Sequence, residues 1–177
     1  MELFDELDEN GWFTGRTVER HHAHTVGAWH RALSLYIVNK RGQVLLQKRS
    51  ITKKTWGGCW DAPVAGHVDA GELGLACVIR EAHEELGIKI NPDEIRYICC
   101  RRSDMKTDKL HDRHFNEYYV AFKNLDASKL KLEPGEVDEV KWVDFADFKR
   151  MVEKRDDSLS GKWASHEALI RYVESNP

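Results

Sequence analysis

The sequence predicts an α/β (α+β) fold in which a mixed β-sheet is sandwiched between α-helices. Three observations carry the prediction: two apolar stretches that double back through Asn- and Gly-containing turns, an amphipathic helical stretch in mid-chain, and a second half in which strands and helices intersperse.

Residues 3–14 place apolar runs on either side of Asn10-Gly11, a dipeptide that favours positive φ, so a small hairpin opens the chain. The stretch RHHAHTVGAWH follows, and residues 1–30 read as a hairpin with a histidine-rich extension. From Ala32 to Val38, Leu33, Leu35 and Ile37 alternate with smaller or polar neighbours, and the chain turns through residues 39–42 into VLLQKRS, a second hairpin long enough to be core. Residues 50–66, rich in Lys, Trp and Gly, have no period and read as a long loop of the kind that carries function. From Leu73 to Leu86 apolar residues fall at 75, 78, 79, 82 and 86, one face of a helix, and Gly87 stops it. Ile95–Cys100 and Glu117–Phe122 read as strands separated by the charged stretch SDMKTDKLHDRH, a mobile loop. Val140–Val143 is a short strand, Asp144 caps a helix through Phe145, Phe148 and Met151, and Trp163–Val173 has the spacing of a final helix.

At 177 residues the chain is expected to be one domain, residues 1–177. Hydrophobic residues at 41% exclude a disordered chain, and their interspersion leaves no run of about 20 for a membrane span. A net charge of −3 offers no global attraction for nucleic acid. The acidic start MELFDELDENG lacks the features of a secretory signal, so a cytoplasmic location is expected. Cys59, Cys77, Cys99 and Cys100 form no C-x-x-C pair and read as reduced, mostly buried thiols.

The informative segment is GHVDAGELGLACVIREAHEELGI, residues 66–88. On a helix Glu81, Glu84 and Glu85 fall within about a 100° arc, placed by the spacing opposite the apolar stripe. Like charges at such spacing cost roughly 0.2–0.5 kcal/mol per pair, and anions in the last turn oppose the helix dipole. A hard divalent cation such as Mg²⁺ removes both penalties; a solvated face with Arg80 as neutraliser is the alternative. Seven fixed positions, Gly66, Glu72, Arg80, Glu81, Glu84, Glu85 and Gly87, occur by chance about once in a million such chains.

These residues, with Ala82 and Ile88 in the hydrophobic slots, resemble the Nudix box at every fixed position. The resemblance implies the Nudix fold and Mg²⁺-dependent hydrolysis, with Mn²⁺ as a substitute, of a phosphoanhydride in a small organic diphosphate such as a nucleoside diphosphate derivative. It implies that Glu81, Glu84 and Glu85 bind metal, that one of them, Glu81 first in line, doubles as general base, and that Arg80 and Glu72 orient the helix carboxylates. Glu117 reads as the extra metal-binding carboxylate outside the box. The chemistry suits the residues, because a diphosphate repels a nucleophilic water until cations bridge its oxygens.

A second resemblance runs from about His24 to Trp142, to the branch that includes type I isopentenyl-diphosphate isomerase. It implies that Arg49, Lys53 and Lys54 bind the diphosphate, with His67 also on the substrate side, and that His24, His30, His67 and Glu117 form a second metal site suited to Zn²⁺ or Mn²⁺. Phe115 stands where a further carboxylate is expected. The isomerase carries a cysteine just before the Gly-His pair, where this sequence has Ala65, so hydrolysis is favoured over isomerisation. A non-catalytic ligand sensor is the third reading, opposed by the intact glutamate cluster. Trp29, Trp56 and Trp60 read either as packing or as stacking surfaces for a base. Neither G-x-x-x-x-G-K-[ST] nor G-x-G-x-x-G is present.

Overall fold

The computed structural model describes residues 1–108 and 110–176. Lys109, within the expected mobile loop, lies outside the described residues, as does Pro177. The N-terminal hairpin forms as expected, β1 (Leu3–Leu7) antiparallel to β2 (Phe13–Glu19). The Asp8 carboxylate closes its turn by accepting from the amides of Asn10 and Trp12, both at 2.9 Å, while Gly11 takes φ +87°. The histidine-rich extension contains a helix that its sequence does not announce, α1 (Arg20–Val26). It buries Ala23 alone, so it carries no apolar stripe, and the Glu19 side chain caps it through the His22 amide.

The main sheet is built from β3 (His30–Val38), β4 (Gln43–Arg49), β5 (Trp60–Asp61), β6 (Val64–His67), β7 (Ile95–Lys106), β8 (His111–Phe122) and β9 (Val137–Asp144). Its order is β5-β4-β3-β8-β7, with β6 also on β3 and β9 also on β4; β3 and β8 are parallel and the other pairs antiparallel. The β3–β4 hairpin meets near Val38 and Val44 and then splays, which lets β6 pair with residues 32–35 of β3. That fork brings Gly66 and His67 to the open end of β3, where the candidate site is built.

Period-two alternation along β3 divides the core. Leu33, Leu35 and Ile37 pack with Cys77, Val78, Ala82 and Leu86 of α2 (Gly74–Leu86), while Tyr36 and Val38 pack with Phe148 and Val152 of α3 (Phe145–Glu153) and Leu169 of α4 (Trp163–Ser175). Each buried Leu, Ile, Val or Phe among them contributes about 1.5–3 kcal/mol, which fixes the register and the sandwich together. Among the described residues no helix is long and apolar enough to cross a membrane.

Four expectations need correction. The charged stretch after Cys100 is not a loop: β7 and β8 stay paired out to Lys106 and His111, closed by the Thr107 amide on the Leu110 carbonyl at 2.7 Å. Asp104 holds this exposed hairpin by accepting from His111 Nε2 at 2.9 Å and from its cross-strand partner Arg113 at 3.1 Å, bonds that leave no trace in hydrophobic periodicity. Cys77 alone of the four thiols is buried, because Cys99 and Cys100 lie on the exposed edge strand β7. Asp144 stands at the N-cap of α3 without bonding its amides, since its carboxylate accepts from Gln43 Nε2 at 2.9 Å.

The fourth concerns α2. Gly74, Cys77, Val78, Ala82, Glu85 and Leu86 are its buried residues, whereas Leu75 is 37% exposed. The buried face is therefore turned from the apolar stripe toward the glutamates, so that they flank the packed face instead of opposing it. Gly74 and Cys77 permit this, being small enough to lie close to the sheet.

Candidate functional site

Arg80 organises the carboxylates of α2. Its Nε and one terminal nitrogen grip Glu72 at 3.0 and 2.9 Å, a bidentate pair, and the other terminal nitrogen donates to Glu81 at 2.9 Å and Glu84 at 3.0 Å. Burial opposes ionisation of Glu72, but the Arg80 contact overrides it and holds the carboxyl below its usual range. Glu72 Oε2 also accepts from the Asp69 amide at 3.2 Å, and the Glu72 carbonyl accepts from Arg31 at 2.6 Å. The loop before α2 is thus tied to both the helix and β3.

Glu81 and Glu85 lie deeper. A Cβ on Gly66 would stand 2.3 Å from Glu81 Oε1, so this glycine makes room for the carboxylate against β6. Burial raises the Glu81 carboxyl despite Arg80. Glu85 is buried and accepts from the Ala65 amide at 3.2 Å. Burial, with the Glu81 charge beside it, pushes Glu85 up to about 8. Glu84, in contrast, has a half-exposed side chain.

The expected diphosphate-binding residues meet different fates. Arg49, at the end of β4, donates to the Thr55 carbonyl at 3.3 Å and stands 3.7 Å from the fully buried Asp61. Lys53 is ion-paired with Glu136, and Lys54 is exposed. Trp29 and Trp60 are buried packing residues; Arg113 lies 4.4 Å over the ring of Trp29 and Lys141 3.8 Å over that of Trp60. Trp56 is partly exposed at φ +56°.

Glu117 is not brought to the last-turn glutamates. Its Oε2 accepts from the Tyr119 hydroxyl and lies 2.2 Å from where a Cβ of Gly74 would be, at the first residue of α2, while Glu84 and Glu85 occupy the last turn. The rise of the helix separates these ends by about 15 Å. Arg31 stands 3.9 Å from its other oxygen.

Nor does Glu117 join the histidines; Asp112 does. His24 from α1, His30 from β3, His67 from β6 and Asp112 from β8 bring one possible ligand atom each within 4.8 Å of one another. The register explains the exchange. Ala32 pairs with both His67 and Asn116, so even-numbered residues of β8 share the face of His67, whereas Glu117 pairs with Leu33 and points to the α2 face. Phe4 of the N-terminal hairpin stacks on His30 and His67 at ring distances of 4.8 and 5.0 Å and closes the cluster. Burial lowers all three histidines, His30 to about 4, so they are neutral. His30 Nδ1 donates to the Ala28 carbonyl at 2.9 Å, which leaves Nε2 with a lone pair; the Nε2 atoms of His24 and His30 are buried and, among the described residues, have no hydrogen-bond partner. Burial opposes ionisation of Asp112, but the bond it accepts from His114 at 3.2 Å and the imidazoles around it, which protonate before it does, hold its carboxyl well below the usual range.

A family model described as the NUDIX domain matches residues 28–163. The chain belongs to the Nudix family. Nudix hydrolase 3 of Arabidopsis thaliana is 34% identical over 160 residues, 88% of this chain and 21% of the plant protein, so the Nudix chain spans about a fifth of that relative. An isopentenyl-diphosphate Delta-isomerase of Escherichia coli O127:H6 is 35% identical over 141 residues, 79% of this chain and 75% of the isomerase. Among solved structures, DR0079 from Deinococcus radiodurans superposes with a TM-score of 0.69 at 19% identity, covering 98% of each chain. The NUDIX domain of Shewanella oneidensis NrtR, complexed with ADP ribose, gives 0.59 at 19% identity over 81% of this chain and 85% of that one. At these identities the structures establish the shared Nudix fold.

Four residues that the sequence of this Nudix chain does not single out enter these contacts: Arg31, Asp61, Asp112 and Lys162. Asp112 lay inside a stretch taken for a loop, and Arg31 within a core strand. Asp61 and Lys162 meet only in three dimensions, 2.7 Å apart across about a hundred residues of chain.

Proposed function

We propose that this Nudix chain is a divalent-metal-dependent pyrophosphohydrolase that cleaves a phosphoanhydride in a small organic diphosphate, a nucleoside diphosphate derivative first among them. The observation that supports it most directly is Glu85: buried beside Glu81, it meets the Ala65 amide and, among the described residues, no ion-pairing cation. Such an arrangement raises the free energy of the ionised protein until a cation enters.

Glu81, Glu84 and Glu85 offer hard oxygen donors and would hold Mg²⁺ or Mn²⁺. The bound ion supplies positive charge for the diphosphate oxygens and acidity for the attacking water. Arg80, fixed by Glu72, sets the rotamers of Glu81 and Glu84 before substrate arrives. Glu81 Oε1 is engaged by Arg80, leaving Oε2 to accept the proton of the water. The neutral imidazoles of His24, His30 and His67 with Asp112 form a donor set suited to Zn²⁺ or Mn²⁺. Four free thiols, Cys100 exposed, suit a reducing compartment, and we place the protein in the cytoplasm.

Isomerisation lacks its thiol. Ala65 precedes Gly66-His67, the Cys59 sulfur lies 4.0 Å from the Asp157 carbonyl, and the Cys77 sulfur donates to the His67 carbonyl at 3.3 Å. The test is phosphate and pyrophosphate release from ADP-ribose, dinucleoside polyphosphates, nucleoside di- and triphosphates and isoprenoid diphosphates, with Mg²⁺, with Mn²⁺ and with chelator. Metal-dependent release from one class is expected. Conversion of isopentenyl to dimethylallyl diphosphate without any release overturns the hydrolase.

A further inference from the structure

We propose that Lys162, at the entry of α4, binds the substrate's phosphate groups together with Arg49, the two cations forming a clamp seated on the buried carboxylate of Asp61. The proposal rests on the hydrolase reading for the identity of its ligand and adds to it a residue far outside the box.

Asp61 is fully buried, and its Oδ2 is approached by Lys162 Nζ at 2.7 Å and by an Arg49 terminal nitrogen at 3.7 Å. Its Oδ1 accepts from the Ala62 amide at 2.8 Å. One carboxylate neutralises one cation, so the group keeps one positive charge in excess. Neither cation is exhausted: Lys162 has N–H donors beyond the one aimed at Asp61, and Arg49 gives Nε to Thr55 and turns one terminal nitrogen to Asp61. Both side chains keep some exposure, 14% for Arg49 and 32% for Lys162.

Lys162 is also held in place, unlike an ordinary surface lysine. The Trp60 amide donates to the Ser158 carbonyl at 2.7 Å and the Ser160 amide to the Trp60 carbonyl at 2.8 Å, so the segment entering α4 runs bonded along β5. A Cβ on Gly161 would stand 2.3 Å from the Trp56 ring, which makes this glycine the contact that lays the segment on the loop rooted at Arg49. Segment 133–136 ties the clamp's loop to the end of the metal-binding helix: the Glu133 amide donates to the Glu85 carbonyl at 3.0 Å, and the Ser50 amide, next to Arg49, donates to the Glu136 carbonyl at 2.9 Å. In a region where Glu81, Glu84 and Glu85 would be taken up by metal, this excess positive charge is what a diphosphate bridging that metal would meet.

A purely structural triad is the competing account, and a charge-paired double variant separates the two. Lys162→Met alone leaves the buried Asp61 carboxylate with Arg49, at 3.7 Å, in place of two cations and is expected to lower the melting temperature. Lys162→Met combined with Asp61→Asn removes one charge of each sign and is expected to restore it; Arg49 keeps the net charge unchanged, so a loss of phosphate binding reports the donors of Lys162 itself. Binding of inorganic pyrophosphate with Mg²⁺, measured by titration calorimetry, should nonetheless weaken about 10-fold or more in the double variant, with Lys162→Arg close to wild type. With ADP-ribose, or whichever phosphoanhydride the panel identifies, KM should rise by a similar factor and kcat change far less. Pyrophosphate affinity within twofold of wild type in the double variant overturns the clamp, as does a wild-type chain that binds no pyrophosphate. A wild-type chain that binds pyrophosphate through Lys162 yet hydrolyses nothing leaves the clamp standing and overturns the hydrolase reading alone.

Discussion

His30 Nε2 faces Asp112 Oδ1 across 3.9 Å with no proton to join them, because the one N–H of this neutral imidazole is already given to the Ala28 carbonyl. His30 Nε2 is buried with its lone pair unmet, and Asp112 Oδ1, which also accepts from His114, has room for a second partner, so a cation between them would satisfy both. Protein stripped with chelator and kept in saturating Mg²⁺, which occupies the glutamates, should therefore take up Zn²⁺ and melt at higher temperature, by about 2.7 kcal/mol of stabilisation when Zn²⁺ is present at 100 times its Kd. Asp112→Asn should abolish the shift while Glu117→Gln leaves it in place. An identical melting curve with and without Zn²⁺ removes the site.

The same histidine makes the metal-free protein sensitive to acid. His30 titrates near 4 in the fold against about 6.5 in the unfolded chain, so the unfolded state binds more protons between these values. Its contribution to stability is complete above pH 6.5 and is lost as the pH falls toward 4. His30→Gln should flatten that part of the stability profile in chemical denaturation across pH 4 to 7.

Glu85 works in the opposite direction. Its folded value near 8 lies above the ordinary 4.5, so its neutral form contributes stability that is present below pH 4.5 and lost as the pH rises through 8. Metal-free Glu85→Gln should be more stable than wild type, with the gap growing as the pH rises to 8 and levelling off above it, while turnover with Mg²⁺ falls by two orders of magnitude or more. A variant that is destabilised at pH 8, or fully active, contradicts the assignment of this carboxylate to metal.

What the sequence made legible follows from which forces leave a periodic trace. The alternation of Leu33, Leu35 and Ile37 and the spacing of Val78, Ala82 and Leu86 placed the sheet and the central helix, because burial imposes those periods directly. The box residues of the site were readable as a spaced pattern. The β7–β8 extension was not, since Asp104 and its partners hold it through exposed polar bonds. The orientation of α2 leaves little trace, because Gly74 and Cys77, both on its buried face, weigh little on any apolar stripe. Asp112 in place of Glu117 depends on strand register, which a single sequence does not state when the strand itself is taken for a loop.

Gly66 supplies a steric test of the same arrangement. Alanine is compatible with a β-strand, and in open space the change would cost little. Here the added methyl would fall 2.3 Å from Glu81 Oε1 and must drive the carboxylate off β6. Gly66→Ala should lower kcat about 100-fold, the size of effect expected when a reacting group is displaced by about 1 Å. The circular dichroism spectrum should be unchanged. Wild-type activity in this variant would mean that Glu81 does not act from the position described.

Arg80 tests whether charge or geometry organises the glutamates. Arg80→Lys keeps the positive charge but cannot grip Glu72 with two parallel bonds and reach Glu81 and Glu84 at once, as the guanidinium does at 2.9–3.0 Å. If neutralisation alone mattered, the variant would behave as wild type. Because the fork fixes the loop carboxylate and both helix carboxylates together, Arg80→Lys should lose at least 10-fold in kcat with little change in net charge or metal stoichiometry. Arg80→Ala leaves Glu72 and Glu81 without their cation and should destabilise the metal-free protein by about 3 kcal/mol. Added Mg²⁺ should recover part of that loss, since it supplies the Glu81 and Glu84 side of the network with positive charge and leaves Glu72 uncompensated. Full recovery by Mg²⁺ would place Glu72 among the metal ligands, against the geometry in which Arg80 holds both of its oxygens.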